Sequence, residues 1–155
     1  MLSMFEFGLY LDDEQKIVLN NQLRIYIGVD NRACHEILEH YRETGRGLTY
    51  AEQQGALSET KANQELTTIY SQVLRDVLRW MNASFKNFFG GGANYPNAKE
   101  YILGMTYPPA SQKWIFSMSV VLPKIGRKRM AKHRAVKGKV KTVTPLLRIP
   151  CFYYG

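Results

Sequence analysis

Residues 122–144, LPKIGRKRMAKHRAVKGKVKTVT, are the stretch around which the chain is organised. From Lys124 to Lys141, nine of eighteen residues are Lys or Arg and none is acidic. A segment this basic repels itself unless counter-ions or a polyanion screen it. Apolar residues recur among the charges, which predicts folded structure with one cationic face rather than a disordered tail: Ile125, Met130, Val136, Val140 and Val143.

The charge of the whole chain is divided between two regions. The 155 residues have a formal net charge of +8. Residues 1–100 hold ten basic and thirteen acidic side chains, whereas residues 101–155 hold eleven basic and no acidic ones. This asymmetry favours a polyanionic partner, with nucleic acid first and an anionic membrane surface second.

Composition indicates a folded chain of one domain or two small lobes. Hydrophobic residues make up 45% of the sequence, which suffices for a core. No apolar run has the ~18–20 residues of a transmembrane helix, and the N-terminus lacks the pattern of a signal peptide. We therefore expect a cytoplasmic protein, and of the two polyanions we take nucleic acid, not a membrane, as the partner.

The first half of the chain reads as a short strand followed by helices. Residues 5–11 begin with a period-two alternation, which is typical of a strand. Asp12 and Gln15 predict a capping box that opens the first helix. Gly28 and Asp30-Asn31 interrupt its pattern, so two helices or one kinked helix are expected before Gly45 and Gly47.

Two further helices are predicted before residue 93. Thr49 and Glu52 form a second capping-box pattern, for a helix to about Thr60. Ser71 is the expected N-cap of the next helix, which Gly90-Gly91-Gly92 ends. Its apolar stripe predicts a face in a helical core: Leu74, Val77, Leu78, Met81, Phe85, Phe88 and Phe89.

The remainder of the chain changes from loop to β character. Residues 93–113 read as a loop, and strands or a hairpin are predicted at 114–116 and 118–122. Pro123 and Gly126 mark a turn, and further strands are predicted at 127–129 and 140–144.

The predicted class is α+β, with a bundle of three or four helices inserted between the first and later strands of a small wedge-like β-barrel. The expected divisions are a first strand at 1–11, a helical recognition lobe at 12–92, a loop linker at 93–113 and a basic β region at 114–155.

Several motifs together resemble the N-terminal part of the OrfB/TnpB family of insertion-sequence proteins. Residues 7–10 with Glu14-Gln15 resemble that family's first strand and helix start. Residues 71–78 and 83–89 resemble its helical signature, and Tyr95-Pro96 its Tyr/Phe-Pro. Residues 122–126, His133-Arg134 and residues 138–143 resemble its basic β region. The motifs arrive in the family order and span nearly the whole chain.

The resemblance implies a relative of the compact type V CRISPR effectors. Members of the family have been called transposases, and their helical part a helix-turn-helix. In these effectors, a β-barrel wedge with a helical recognition lobe holds guide RNA and target DNA. A RuvC-like nuclease domain with a four-cysteine zinc ribbon follows it. By this resemblance we expect structured guide-type RNA and DNA as partners.

The sequence departs from that pattern in three places. It stops at Gly155, before the expected nuclease carboxylates and zinc ribbon. The family's Arg…Tyr-Asn pattern of the first helix stands here as Asn31…Cys34-His35. After Thr144 the sequence no longer follows the family's strand. We therefore expect a module truncated before the RuvC-like domain, without nuclease activity of its own. A separate nuclease-bearing chain is a candidate partner.

No catalytic, metal or cofactor site is predicted. The carboxylates lie mostly beside bases, as on solvated helix faces. The three histidines share no metal-ligand spacing with each other or with Cys34, and the two cysteines are expected to be buried or unreactive thiols.

Function is therefore placed on the basic run, where Lys and Arg neutralise phosphates and release counter-ions. Because side chains alternate along a strand, about half of them are expected to face the ligand. A non-functional remnant, and a complete nuclease if the gene continues, are the alternatives. The candidate residues are Lys124, Arg127, Lys128, Arg129, Lys132, His133, Arg134, Lys139 and Lys141, with Lys86, Asn87 and Tyr95 second in rank for a nucleic-acid backbone and a stacked base.

Overall fold

The computed structural model describes residues 4–60, 64–100, 104–107, 118–132, 135, 140 and 142–145. This part of the chain is mixed α+β, with three longer helices, one four-residue helix and a three-stranded antiparallel sheet. The α+β prediction is confirmed at this level. In chain order, the elements are β1 (Gly8–Tyr10), α1 (Asp13–Thr44), α2 (Tyr50–Thr60), α3 (Gln64–Thr67), α4 (Ser71–Phe89), β2 (Ser119–Leu122) and β3 (Gly126–Ala131).

Helix α1 is one continuous element of 32 residues, where two helices or a kink were the alternatives. The predicted capping box is present. The Asp12 carboxylate accepts from the Gln15 backbone N–H, and the Gln15 side-chain oxygen accepts from the Asp12 backbone N–H. Gly45 ends the helix in the left-handed conformation, with φ +69°. The helix continues through Gly28 without a break.

The polar pair Asp30-Asn31 does not interrupt α1 but holds another segment against it. The Asn31 amide donates to the Lys99 carbonyl at 2.8 Å and accepts from the Lys99 backbone N–H at 2.7 Å. The Lys99 ammonium lies 2.9 Å from a buried oxygen of Asp30 as an ion pair. The Cys34 thiol points to the Pro96 carbonyl at 3.7 Å, and burial raises the pKa of this thiol. These contacts fix residues 96–99 on the middle of α1.

Helices α2 and α4 also follow their sequence signals. The Thr49–Glu52 capping box forms at the start of α2, as predicted. The predicted stripe of α4 is buried at Leu74, Val77 and neighbouring positions through Phe85. Two details of the prediction were wrong. Phe89, predicted on the stripe, is 48% exposed. Tyr70, rather than Ser71, is the N-cap, and it makes no side-chain capping bond.

The sheet has the order β1-β3-β2, and both pairings are antiparallel. The predicted turn joins β2 to β3 through residues 123–125, and Gly126 adopts φ +94°. Outside these strands, Tyr107 and Val143 exchange two backbone hydrogen bonds in an isolated antiparallel bridge. The strand predicted over 140–144 is seen only as this bridge, with residue 141 outside the described residues. The strand predicted at 114–116 also lies outside them.

The helices and the sheet contribute apolar side chains to a shared core. A second cluster joins the later half of α1 to the later half of α4, around Ile37 and Phe85. No helix in the described part of the chain is long and apolar enough to cross a membrane. The shared core includes Leu19, Leu23, Val73, Leu74, Val77, Met105, Tyr107, Val120, Leu122 and Met130.

Candidate nucleic-acid interface

The β2–β3 hairpin divides the basic run between two faces of the sheet. Side chains alternate along a strand, and the burial of β3 follows this rule. Lys128 and Met130 lie on the face that packs on the helices, opposite Val120 and Leu9 respectively. Arg127 and Arg129 are exposed on the other side, which we call the outer face.

The outer face is formed by the cross-strand neighbours of the two arginines. Arg129 lies between Tyr10 on β1 and Ser119 on β2, and Arg127 lies opposite Val121. The Arg129 guanidinium carbon is 5.7 Å from the centre of the Tyr10 ring, within the range of a cation–π contact. The surface therefore combines two guanidinium groups with an exposed aromatic ring.

Lys128 is the exception among the candidate residues of β3. It is only 6% exposed, because the alternation that exposes its two neighbours turns it toward the core. Its ammonium therefore does not belong to the outer face. The sequence expectation that about half of the basic side chains share one face applies to this strand, but Lys128 itself leaves the candidate set.

Lys124 lies at the tip of the hairpin. It is exposed and adopts a positive φ of 67°, which is uncommon for a residue with a side chain. Lys132 follows β3 and is half-buried. Lys124 thus adds a cation at the turn, near the end of β3 that carries Arg127.

A buried glutamine on α1 holds the hairpin in place. Gln22 is 3% exposed and its amide donates to the carbonyls of Thr68, at 3.0 Å, and Lys124, at 3.4 Å. Its oxygen accepts from the Tyr107 hydroxyl at 3.4 Å. Burial raises the pKa of Tyr107 well above its ordinary value, so this phenol stays a donor. One side chain thus connects the hairpin turn, the segment between α3 and α4, and the core.

The second-rank residues lie at the other end of the helical part. Lys86 and Asn87 are exposed in the last turns of α4. Tyr95 packs edge-on against Phe88, with ring centres 5.2 Å apart, and remains 43% exposed. An open groove of about 510 Å³ runs beside it, and its walls are Leu38, Tyr41, Arg42, Phe85, Phe88, Phe89 and Tyr95.

Four of the candidate residues cannot be assigned to either surface. His133, Arg134, Lys139 and Lys141 lie outside the described residues. The structure therefore brings together Lys124, Arg127 and Arg129 from the first-rank set. It does not bring them together with Tyr95, which belongs to the separate groove between α1 and α4.

Several described carboxylates have structural partners. Asp12 caps α1, Asp76 accepts from the Trp80 indole at 3.0 Å, and Glu52 accepts from Thr49 and Arg46. The hydrogen bonds from Arg46 and Thr49 lower the pKa of Glu52 to about 2. Within the described ranges, no three His, Cys, Asp or Glu side chains cluster as metal ligands would.

Two residues were not predicted as site residues from the sequence: Tyr10 on the outer face and Gln22, which is buried beneath the hairpin turn. Tyr10 was read only as part of a strand, although the period-two pattern places it on the same face as Gly8. No sequence signal identifies Gln22, because its three partners come from distant segments.

Comparison with known protein families finds no family that matches the chain. Comparison with curated proteins likewise finds no match.

Proposed function

We propose that the chain is a nucleic-acid-binding module whose outer sheet face contacts the phosphate backbone. The observation that carries the proposal is the exposure of Arg127 and Arg129 on one face, beside Lys124 and Tyr10. Guanidinium groups suit phosphate because they offer several donors in a planar fork. The hairpin that carries these groups is hydrogen-bonded to α1 through Gln22.

The local charge supports a polyanion as the ligand. No acidic residue follows Glu100 in the sequence, so neither β2 nor β3 contributes a carboxylate to the outer face. On β1, the outward positions are Gly8 and Tyr10, which are uncharged. The three strands therefore supply cationic and neutral groups, and an approaching phosphate is attracted at each basic position.

The family resemblance supplies the finer form of the proposal. We infer a module of the TnpB type, in which the helices are inserted into a wedge-like barrel that holds guide-type RNA and target DNA. The chain order supports this arrangement, because β1 precedes all four helices and pairs with β3, which follows them. Nuclease activity is not part of the proposal for this chain.

The test is the salt dependence of binding by the full chain. Fluorescence anisotropy with a labelled single-stranded RNA and a DNA duplex of equal length gives the association constant at several salt concentrations. Each neutralised phosphate contributes about −0.7 to the log–log slope for a single strand and about −0.9 for a duplex. Contacts from Lys124, Arg127 and Arg129 predict a slope of about −2 for single-stranded RNA. An association constant that does not change with salt contradicts the proposal.

A further inference from the structure

Tyr10 gives the outer face a feature that phosphate neutralisation does not use. Its side chain is 61% exposed at the end of β1. A large apolar ring at such exposure gains little from packing on its own fold. The ring lies on the edge strand β1, in the row of the sheet that also holds Arg129 and Ser119.

The contact with Arg129 orients this ring. The guanidinium carbon lies over the ring, 5.7 Å from its centre, near the outer limit of a cation–π contact. Arg127 lies two residues away on the same face, roughly 7 Å along the strand. A ring and two phosphate-binding groups are therefore within the span of adjacent nucleotides.

Of the three acids at positions 12–14, Asp12 and Asp13 have partners within α1. The Asp12 carboxylate accepts from the Gln15 backbone N–H at 2.8 Å, as the N-cap of α1. Asp13 pairs with Lys16 at 3.3 Å. Glu6, ahead of the strand, also has an interaction partner. The hydrogen bond to Asp12 and the ion pair of Asp13 offset part of the repulsion that these two carboxylates would exert on a nucleotide at Tyr10.

The geometry points to an unpaired nucleotide as the ligand of the outer face, with its base stacked on Tyr10 and its phosphates on Arg127 and Arg129. This inference rests on the proposed function and deepens it. In a duplex both faces of each base are covered by neighbouring pairs, so an exposed ring on a sheet cannot stack without unpairing a base. Single strands and loops offer free base faces, and aromatic side chains bind them with little sequence preference.

The test compares three labelled probes with the full chain at one salt concentration. The probes are a 12-nucleotide single strand, a duplex of the same length, and a strand in which the central bases are replaced by abasic sites. Loss of one stacked base weakens binding by roughly five- to 150-fold. We expect Tyr10→Ala to lose this factor on the intact single strand only. Tyr10→Phe keeps the ring and is expected to bind like the parent protein.

The abasic strand separates stacking from other effects of the substitution. It carries the same phosphates, so the parent protein is expected to bind it as weakly as Tyr10→Ala binds the intact strand. Equal losses for Tyr10→Ala on all three probes overturn the inference, and so does unchanged binding. Tyr10→Leu replaces the alanine variant if the latter does not fold, since it keeps apolar bulk without a π face. Salt-dependent binding that ignores Tyr10 overturns this inference alone, whereas salt-independent binding overturns the proposed function as well.

Discussion

Replacing Gln22 with Ala tests how the basic hairpin is held on the helices. The substitution removes the amide that donates to the Thr68 and Lys124 carbonyls and the oxygen that accepts from Tyr107. A buried polar group left without a partner costs about 1–3 kcal/mol. Thr68 and Lys124 are exposed residues, whereas Tyr107 is fully buried. The lost hydrogen bonds and the cavity left behind are together expected to lower the free energy of unfolding by about 2–3 kcal/mol.

Urea denaturation followed by circular dichroism measures this loss as a change in the free energy of unfolding. Asn21→Ala is the matched control, because Asn21 is the exposed neighbour on the same helix. A surface substitution of this kind changes stability by about 0.5 kcal/mol or less. Gln22→Met keeps the volume and removes only the polar groups, so it separates the hydrogen bonds from the cavity. A Gln22→Ala variant as stable as Asn21→Ala would refute the role of this side chain.

Two further predictions concern the helices. Gly28→Ala is expected to stabilise the fold by about 0.5–1 kcal/mol, because a Cβ there meets no atom within 4 Å and alanine is the better helix former. Gly45→Ala is expected to destabilise the fold by about 1 kcal/mol, because Gly45 has φ +69°. Thermal unfolding of both variants measures the two changes in stability. Because its pKa is lowered to about 2, Glu52 contributes stability above its ordinary pKa that is lost as the pH falls through about 2, and carbon-13 NMR titration should show Arg46→Ala returning this pKa toward the ordinary value. An unchanged Glu52 titration in the Arg46 variant would contradict the stated cause.

The parts of the fold that the sequence predicted depend on local signals. The capping boxes at Asp12 and Thr49 and the turn at Pro123–Gly126 involve residues within a few positions of one another. Their hydrogen bonds form within the segment itself, so the residue types suffice to locate them. The helix starts at Asp13 and Tyr50 followed from these signals.

Two of the errors concern side chains whose partners are distant in sequence. Asp30-Asn31 predicted a helix break because polar residues in the middle of a helix are unfavourable on their own. In the structure, Lys99 provides partners for both residues, and it lies 68 residues after Asn31. The burial of Lys128 depends on the register of β3 against both neighbours, which no local pattern of basic residues fixes. The outer face could therefore be predicted as cationic, but its membership could not.

The most direct test of the central claim compares two double variants with the same change in charge. Arg127→Ala/Arg129→Ala removes the guanidinium groups of the outer face. Arg24→Ala/Arg32→Ala removes two exposed arginines of α1, one of which pairs with Glu36 at 2.8 Å. Such an exposed pair contributes little to stability, so both proteins are expected to fold.

The measurement is the slope of log association constant against log salt for a single-stranded RNA, by fluorescence anisotropy. If each outer-face arginine neutralises one phosphate, the first double variant should have a slope that is flatter by about 1.4. The α1 double variant should keep the slope of the parent protein. Equal slopes for the two double variants would contradict the assignment of the nucleic-acid interface to the outer face of the sheet.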